Sequence, residues 1–426
     1  MKRLYLDIFV IGFALFSMFF GAGNVIFPPY LGLGCGSQWF LGFVCYYLAD
    51  IGLALAALFA VLRHGSWEDV SRPIGRVPST LLMSAIMLCI GPMLAIPRTA
   101  ATTYEMGLAP LVSGFSPVLF SGLFFLVILA LCVKESAVVD IVGKILTPAL
   151  MIGLLVLIVV GVIDPVGPVP DRVLVENVPV TGIEAGYQTM DVLAAVVFGI
   201  ILLKSARDKG YTDIRSQSRV VTGAGIVAGA ALLVVYLGLT YLGVTTSRFF
   251  DLTVPRTFLV SAIVRNLLGS PGILLFSVVV ALACITTAVA LVSSAAAYFT
   301  KLSGGRLSYQ VLVTIICVFS AVVSNIGLDQ IVSVSAPILS IVYPPTLTLI
   351  LISFLSRWLR HDWIHRGAVL GALAASLLTV GVDYGLPFAF VKALPLASLG
   401  FNWVLPAAAG GILGALLGKL RPSQTV

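Results

Sequence analysis

Asp191, Arg98 and Asp50 each fall inside an apolar run long enough to cross a bilayer. An ionisable group there is expensive and is a functional candidate by default. Asp191 sits at the end of Gly186-Tyr187-Gln188-Thr189-Met190-Asp191. As a carboxylate it can contact a bound solute or a coupling cation, or pair with a neighbouring helix. Arg98, after Pro97, can meet an anionic group or bridge helices. Asp50 reads first as a structural group. A fourth candidate is the adjacent pair Thr286-Thr287, in Ala281-Leu282-Ala283-Cys284-Ile285-Thr286-Thr287-Ala288. Membrane threonines usually hydrogen-bond the backbone one turn back. They can equally offer two hydroxyl oxygens, with the carbonyl one turn earlier, to a hard cation. The three histidines (His64, His361, His365) lie in predicted loops, which excludes a histidine relay and leaves Asp191 and Asp50 as intramembrane proton carriers.

The element that must position these groups is the first apolar run, Asp7 to Leu31. Roughly 20 residues at about 1.5 Å each cross a bilayer core. This run is interrupted by Gly21-Ala22-Gly23-Asn24 and then by Pro28-Pro29, where glycine weakens a helix and proline removes a donor. A broken helix survives in lipid only where protein, water or ligand satisfies the freed backbone. Secondary transporters build their sites from such breaks, although small residues also serve simple helix packing. The sixth run, Thr181 to Leu203, opens with a second interruption at Gly186 to Asp191. Two broken spans five positions apart are what an inverted repeat of five helices gives. Amides near Ala22 and Gly23, at the start of a half-helix, offer donors to a carboxylate. Carbonyls near Phe19 and from Gly186 to Thr189 offer acceptors to an ammonium. With Gly21, Asn24 and Asp191, these form the expected substrate site.

Composition sets the frame. Of 426 residues, 59% are hydrophobic and only 10% charged, against about 25% charged in a soluble domain, and mean hydropathy is +1.10. The chain is therefore read as an all-α integral membrane protein. Spans are expected near 6–30, 38–62, 79–104, 117–133, 142–163, 182–203, 220–243, 271–299, 307–325, 333–356, 367–385 and 403–418, about twelve in all. Residues 1–426 form one transmembrane unit, with repeats at about 6–163 and 182–356 and trailing helices at about 367–418. With the N-terminus inside, nineteen Lys and Arg fall in loops on that side and five on the other. That bias places both termini in the cytoplasm and accounts for the net charge of +7 without any nucleic-acid partner. Trp39, Trp67, Trp358, Trp363 and Trp403 lie near span ends, as an interfacial belt requires. The six cysteines lack metal-ligand or C-x-x-C spacing and read as small apolar residues. The basic head Lys2-Arg3 is followed by no small-residue cleavage site, so the first run is read as a retained span. There is no phosphate loop, H-E-x-x-H or G-x-S-x-G. A membrane-embedded enzyme using Asp191 and Arg98, or a passive channel, are the competing classes. Neither explains two matched breaks.

Four stretches carry a family resemblance. Phe19-Phe20-Gly21-Ala22-Gly23-Asn24-Val25-Ile26-Phe27-Pro28-Pro29 resembles the signature of the bacterial branched-chain amino acid carriers, the BrnQ-type symporters. Gly91-Pro92 with Ala95 to Ala100, Gly186 to Asp191 with Leu193-Ala194-Ala195, and Leu282 to Ala288 are similar to the same family in order along the chain. Gln188, where the family more often has a leucine-like residue, and the short loops depart from it. The resemblance implies cation-coupled uptake of leucine, isoleucine and valine across a bacterial cytoplasmic (inner) membrane. The coupling ion is sodium, or in some members a proton, with no organic cofactor and no obligatory protein partner. It also implies the LeuT-like architecture of the amino acid–polyamine–cation superfamily, five plus five helices, discontinuous spans 1 and 6, and two extra C-terminal helices. Carried over by motif, a sodium site would take carbonyls from Ser17 and Phe20 and oxygens from Ala283, Thr286 and Thr287.

Overall fold

In the computed structural model, which describes residues 2–112, 114–133, 147–359 and 361–420, the first span is two helices. Helix α1 (Lys2–Phe19) stops because Gly21 is extended (φ −115°, ψ −163°). The Gly21 amide donates to Asn24 Oδ1 (3.1 Å) instead of continuing the ladder to Ser17. Helix α2 (Ala22–Cys35) then resumes. The expected second interruption does not occur: Pro28 and Pro29 lie inside α2, both buried. Their missing amides leave two carbonyls of the preceding turn without intrahelical donors, and surrounding protein lets the helix continue.

The second span is α3 (Trp39–Tyr47) and α4 (Leu53–His64), joined by a π turn at Leu48–Gly52 that carries Asp50. A short α5 (Trp67–Ser71) follows. The third span is not the straight helix expected over 79–104. It is α6 (Arg76–Leu88), a π turn at Cys89–Met93, α7 (Ala95–Thr102) and a second π turn at Thr103–Leu108. Gly91 is extended (φ −95°, ψ −131°) before Pro92, and together they break the ladder. After α8 (Pro117–Val133) comes α9 (Thr147–Ile163); the expected start of that span at 142, and Lys134 and Lys144, lie outside the described residues.

The sixth span is α10 (Val178–Thr189) and α11 (Asp191–Asp208), bent by 40° at Met190. Met190 takes a left-handed backbone (φ 68°), which a non-glycine residue rarely adopts. Helix α12 (Ile214–Val244) is capped by Asp213, whose carboxylate accepts from the Ser216 amide (2.8 Å) and hydroxyl (2.6 Å). Those bonds hold its pKa below the ordinary aspartate value. Helix α13 (Arg256–Leu302) bends at Gly269 before Pro271, so the eighth span forms its second part. Then come α14 (Tyr309–Val323), α15 (Leu328–Phe354), α16 (Asp362–Asp383) and α17 (Val404–Leu420).

Among the described residues, seven helical stretches are long and apolar enough to cross a bilayer, and the bent pair α10/α11 makes an eighth. Three shorter apolar helices add to them, and one of the seven, Ala22–His64, joins half of the first span to the second. Outward-facing Val118, Ile152, Val322, Leu370 and Ile412 are all more than half exposed, as a lipid-facing surface is.

Small residues set how closely the helices cross. The first span packs along α12, and the sixth packs along the second, α10 on α3 and α11 on α4. A Cβ on Gly32 would stand 2.0 Å from the Thr240 carbonyl oxygen, and one on Gly243 would stand 1.9 Å from that of Pro29. In the other pair, a Cβ on Gly182 would stand 2.6 Å from the Gly42 carbonyl oxygen. The trailing helices cross through Gly367 and Gly371 against Gly410 and Gly414, two small-xxx-small faces. Gly243→Val should therefore lower the melting temperature of the detergent-purified protein sharply. Overpacking costs about 1–3 kcal/mol, and the obstacle here is backbone, which cannot rotate away. An unchanged melting temperature would refute this packing argument.

Candidate functional site

The two breaks meet. Asn24 Nδ2 donates to Asp191 Oδ2 (2.7 Å) and to the Tyr236 hydroxyl, while Asn24 Oδ1 accepts the Gly21 amide. One buried side chain thus fixes the start of α2, the start of α11 and the middle of α12. Asp191 is 4% exposed and Asp50 fully buried, and Asp50 Oδ2 has no hydrogen-bond partner among the described residues. The Thr189 hydroxyl lies 2.7 Å from Asp50 Oδ1 and 2.6 Å from the Gly186 carbonyl oxygen. Asp50 thus belongs to the centre of the molecule, because the π turn at Leu48–Gly52 turns it toward the sixth span.

Arg98 is 3% exposed and reaches across to the same place. Its Nη1 donates to the Gln188 carbonyl (2.6 Å) and Nη2 to that of Thr189 (3.2 Å). A cation at the carbonyl end of α10 is favoured by the helix dipole. On its other side the guanidinium lies over the Phe27 ring (5.6 Å), and a Cβ on Gly23 would stand 2.9 Å from Nη2.

A cavity of about 20 Å³ lies between these groups, space on the order of one water. Phe19, Gly21, Ala22, Gly23, Asn24, Thr189 and Asp191 line it together with Arg98, Phe198 and Thr287. Of the expected substrate residues, Gly186 is not brought there. It packs on the second span instead, where a Cβ would stand 3.0 Å from the Tyr46 carbonyl oxygen. Tyr46 and Tyr236, whose ring stands over Phe20 at 6.2 Å, complete the surroundings and were missed by the sequence reading. Aromatic residues in apolar runs carry no sequence mark of this role.

Among the expected cation ligands, the Thr287 hydroxyl is buried without a hydrogen-bond partner, and a Cβ on Gly21 would stand 3.1 Å from it. The Thr286 hydroxyl donates to the Ala283 carbonyl (2.8 Å), leaving its oxygen lone pairs available. Because the Gly21 amide is diverted to Asn24, the Ser17 carbonyl lacks the donor a continuous helix would supply. Phe20, at the break itself, donates its amide to the Phe16 carbonyl (2.8 Å). The eighth span is thereby set against the break in the first, with oxygens and no carboxylate.

A second, larger space of about 620 Å³ opens where α2 ends and α10 begins. Tyr30, Glu184, Tyr187, Gln188, Arg256 and Asp329 are among its walls, and Asp383 and Tyr384 bring the end of α16 to it. Arg256 pairs with Asp329 (2.6 Å) and lies over the Tyr30 ring (4.6 Å). Tyr187 stacks on Tyr343 with centroids 4.4 Å apart. Gln188 faces this vestibule and Thr189, next in the chain, faces the small cavity. The last turn of α10, held by Arg98, is the partition between the two.

The family model for "Branched-chain amino acid transport protein" matches residues 5–421. The branched-chain amino acid permease BraB of Bacillus subtilis (strain 168) is 34% identical over 427 residues, covering 96% of this chain and 95% of that protein. Among solved structures, the chain is similar to Mhp1 in an inward-facing conformation (TM-score 0.61, 14% identity, 97% of this chain and 92% of that one). It is also similar to a Na⁺-coupled sialic acid symporter (TM-score 0.60, 15% identity, 96% and 90%). At such identities the likeness is one of fold, the LeuT-like fold of broken-helix transporters.

Proposed function

The chain belongs to the branched-chain amino acid transport protein family, and from that premise we propose sodium-coupled uptake of leucine, isoleucine and valine by alternating access. Its relatives are permeases, so it is a multi-pass membrane transporter of amino acids and not an enzyme. The observation that carries the proposal is the meeting of two helix breaks at one buried cavity, with an unpartnered threonine hydroxyl beside the first break.

The zwitterion is met by opposite charge at each end. The exposed amides of Ala22 and Gly23 at the start of α2 take the carboxylate. Asp191, the carbonyls near Phe19 and the carbonyl end of α10 take the ammonium. The aliphatic chain is read by apolar walls such as Phe198, and an apolar pocket resolves one methylene by only about 1–3 kcal/mol. Leucine, isoleucine and valine are therefore expected to compete, with methionine also able to enter. Sodium is held by Ser17, Phe20, Ala283, Thr286 and Thr287.

The packing pairs support a five-plus-five inverted repeat within one transmembrane unit. Exchanging span one with six and two with seven turns the first–seventh contact into the sixth–second contact, both closed by glycines. In this reading the chain has twelve spans, with α16 and α17 trailing and both termini in the cytoplasm, and the 620 Å³ vestibule opens on the outer face of the cytoplasmic (inner) membrane.

Proton coupling is a second reading, favoured by two buried carboxyl groups, Asp191 and Asp50, the second with an unpartnered oxygen. Purified protein in proteoliposomes decides between them. Concentrative uptake of labelled leucine under an inward sodium gradient alone selects sodium. Uptake driven by a proton gradient without sodium selects the acid pair. No leucine uptake under either gradient would sink the function.

A further inference from the structure

We propose that Arg98 is the residue that selects for the substrate's carboxylate, working with the amides of α2. This rests on the amino acid transport reading above. A guanidinium carries five donors in a fixed fork. Two of its groups are assigned, to the Gln188 and Thr189 carbonyls, while Nε is buried with no partner at all. An unpartnered buried donor of a charged group is costly, and its persistence marks a place where an acceptor is missing. Arg98 also lines the small cavity, with Nη2 packed so closely on Gly23 that a Cβ there would stand 2.9 Å away.

The charges around the cavity are arranged in two groups. The amide end of α2 and the Arg98 guanidinium are positive. Asp191, Asp50 and the carbonyl end of α10 are negative. A free carboxylate fits the first group, because Nε and an Nη hydrogen can grip two carboxylate oxygens side by side. An amide or alcohol in its place offers one neutral acceptor and loses the charge-assisted pair.

The same contacts tie recognition to entry. A cavity of about 20 Å³ is far too small for an amino acid, so the last turn of α10 must move for one to enter. That turn is held by Arg98 through two carbonyls. A carboxylate arriving from the vestibule competes for the same guanidinium and takes over the donors that hold the partition shut. Substrates without a carboxylate have no such lever.

The test compares leucine with leucine amide, which keeps the ammonium and side chain but has no carboxylate. Binding of each is measured as thermal stabilisation of the detergent-purified full chain at fixed sodium. Wild type should prefer leucine strongly. Arg98→Gln should weaken leucine by about a hundredfold, as the loss of a charge-assisted bidentate pair implies, and should not weaken leucine amide. Arg98→Lys keeps the buried charge without the fork, and should lose about tenfold for leucine only. It is the variant to read if Arg98→Gln does not fold. Equal losses for the two ligands, or no loss of leucine binding, would overturn the proposal and leave Arg98 a structural bridge. Failure of wild type to bind leucine would instead strike the transport reading itself.

Discussion

Thr286→Ala combined with Thr287→Val should abolish sodium-driven accumulation of leucine while the protein inserts and folds. The Thr287 hydroxyl has no partner in the buried interior, so replacing it with the isosteric valine removes a polar group and keeps the volume. Without an ion to serve, that change should be neutral or stabilising. With one, it deletes an oxygen from the ion's shell, and Thr286→Ala deletes a second. Two measurements separate these cases. Sodium should raise the melting temperature of the wild type, by the mass-action stabilisation any native-state ligand provides, and should not raise that of the double variant. In proteoliposomes the variant should show leucine uptake that no longer responds to sodium. A double variant that keeps an unchanged sodium dependence would remove the threonine pair from the coupling mechanism.

Asp191→Asn carries the next largest expected effect. If Asp191 serves as a carboxylate acceptor for the substrate's ammonium, the variant still accumulates leucine under a sodium gradient. It needs about ten- to a hundredfold more leucine, the equivalent of a charged hydrogen bond of about 1.5–3 kcal/mol. The Asn24 bond partly survives, because an asparagine oxygen can still accept from Nδ2. If instead Asp191 carries the coupled proton with Asp50, the variant loses accumulation and keeps exchange, since exchange moves no net proton. Leucine exchange at normal affinity without accumulation would replace sodium by the acid pair as the coupling device.

Much of this site could be read before any fold was known, and the reasons are local. Gly21-Ala22-Gly23 and the stretch ending at Asp191 interrupt apolar periodicity, which is a statement about neighbours in sequence. What escaped were relations across the chain. Asn24 and Tyr236 lie 212 residues apart, and nothing in either segment announces the other. Asp50's place beside Thr189 is not legible in the sequence, because an uninterrupted apolar run gives no sign of a π turn, and that turn decides which way its carboxylate faces. Pro28-Pro29 misled in the opposite sense, since burial let the helix run through them. Gly91-Pro92 carried the same kind of signal as the first break and would have given the third span's interruption. Gly367-x₃-Gly371 and Gly410-x₃-Gly414 were likewise legible as a crossing of the last two helices.

The burial of the cysteines has a practical consequence. Cys35, Cys89, Cys132, Cys284 and Cys317 are buried and Cys45 is half-covered on the second span, so water-soluble thiol reagents meet an almost silent background. A reporter cysteine can therefore be installed at Ser333 or Ser340 on the vestibule wall without first stripping the native ones. Its labelling rate by an impermeant maleimide, followed with and without leucine, would turn the opening and closing of the vestibule into a clock.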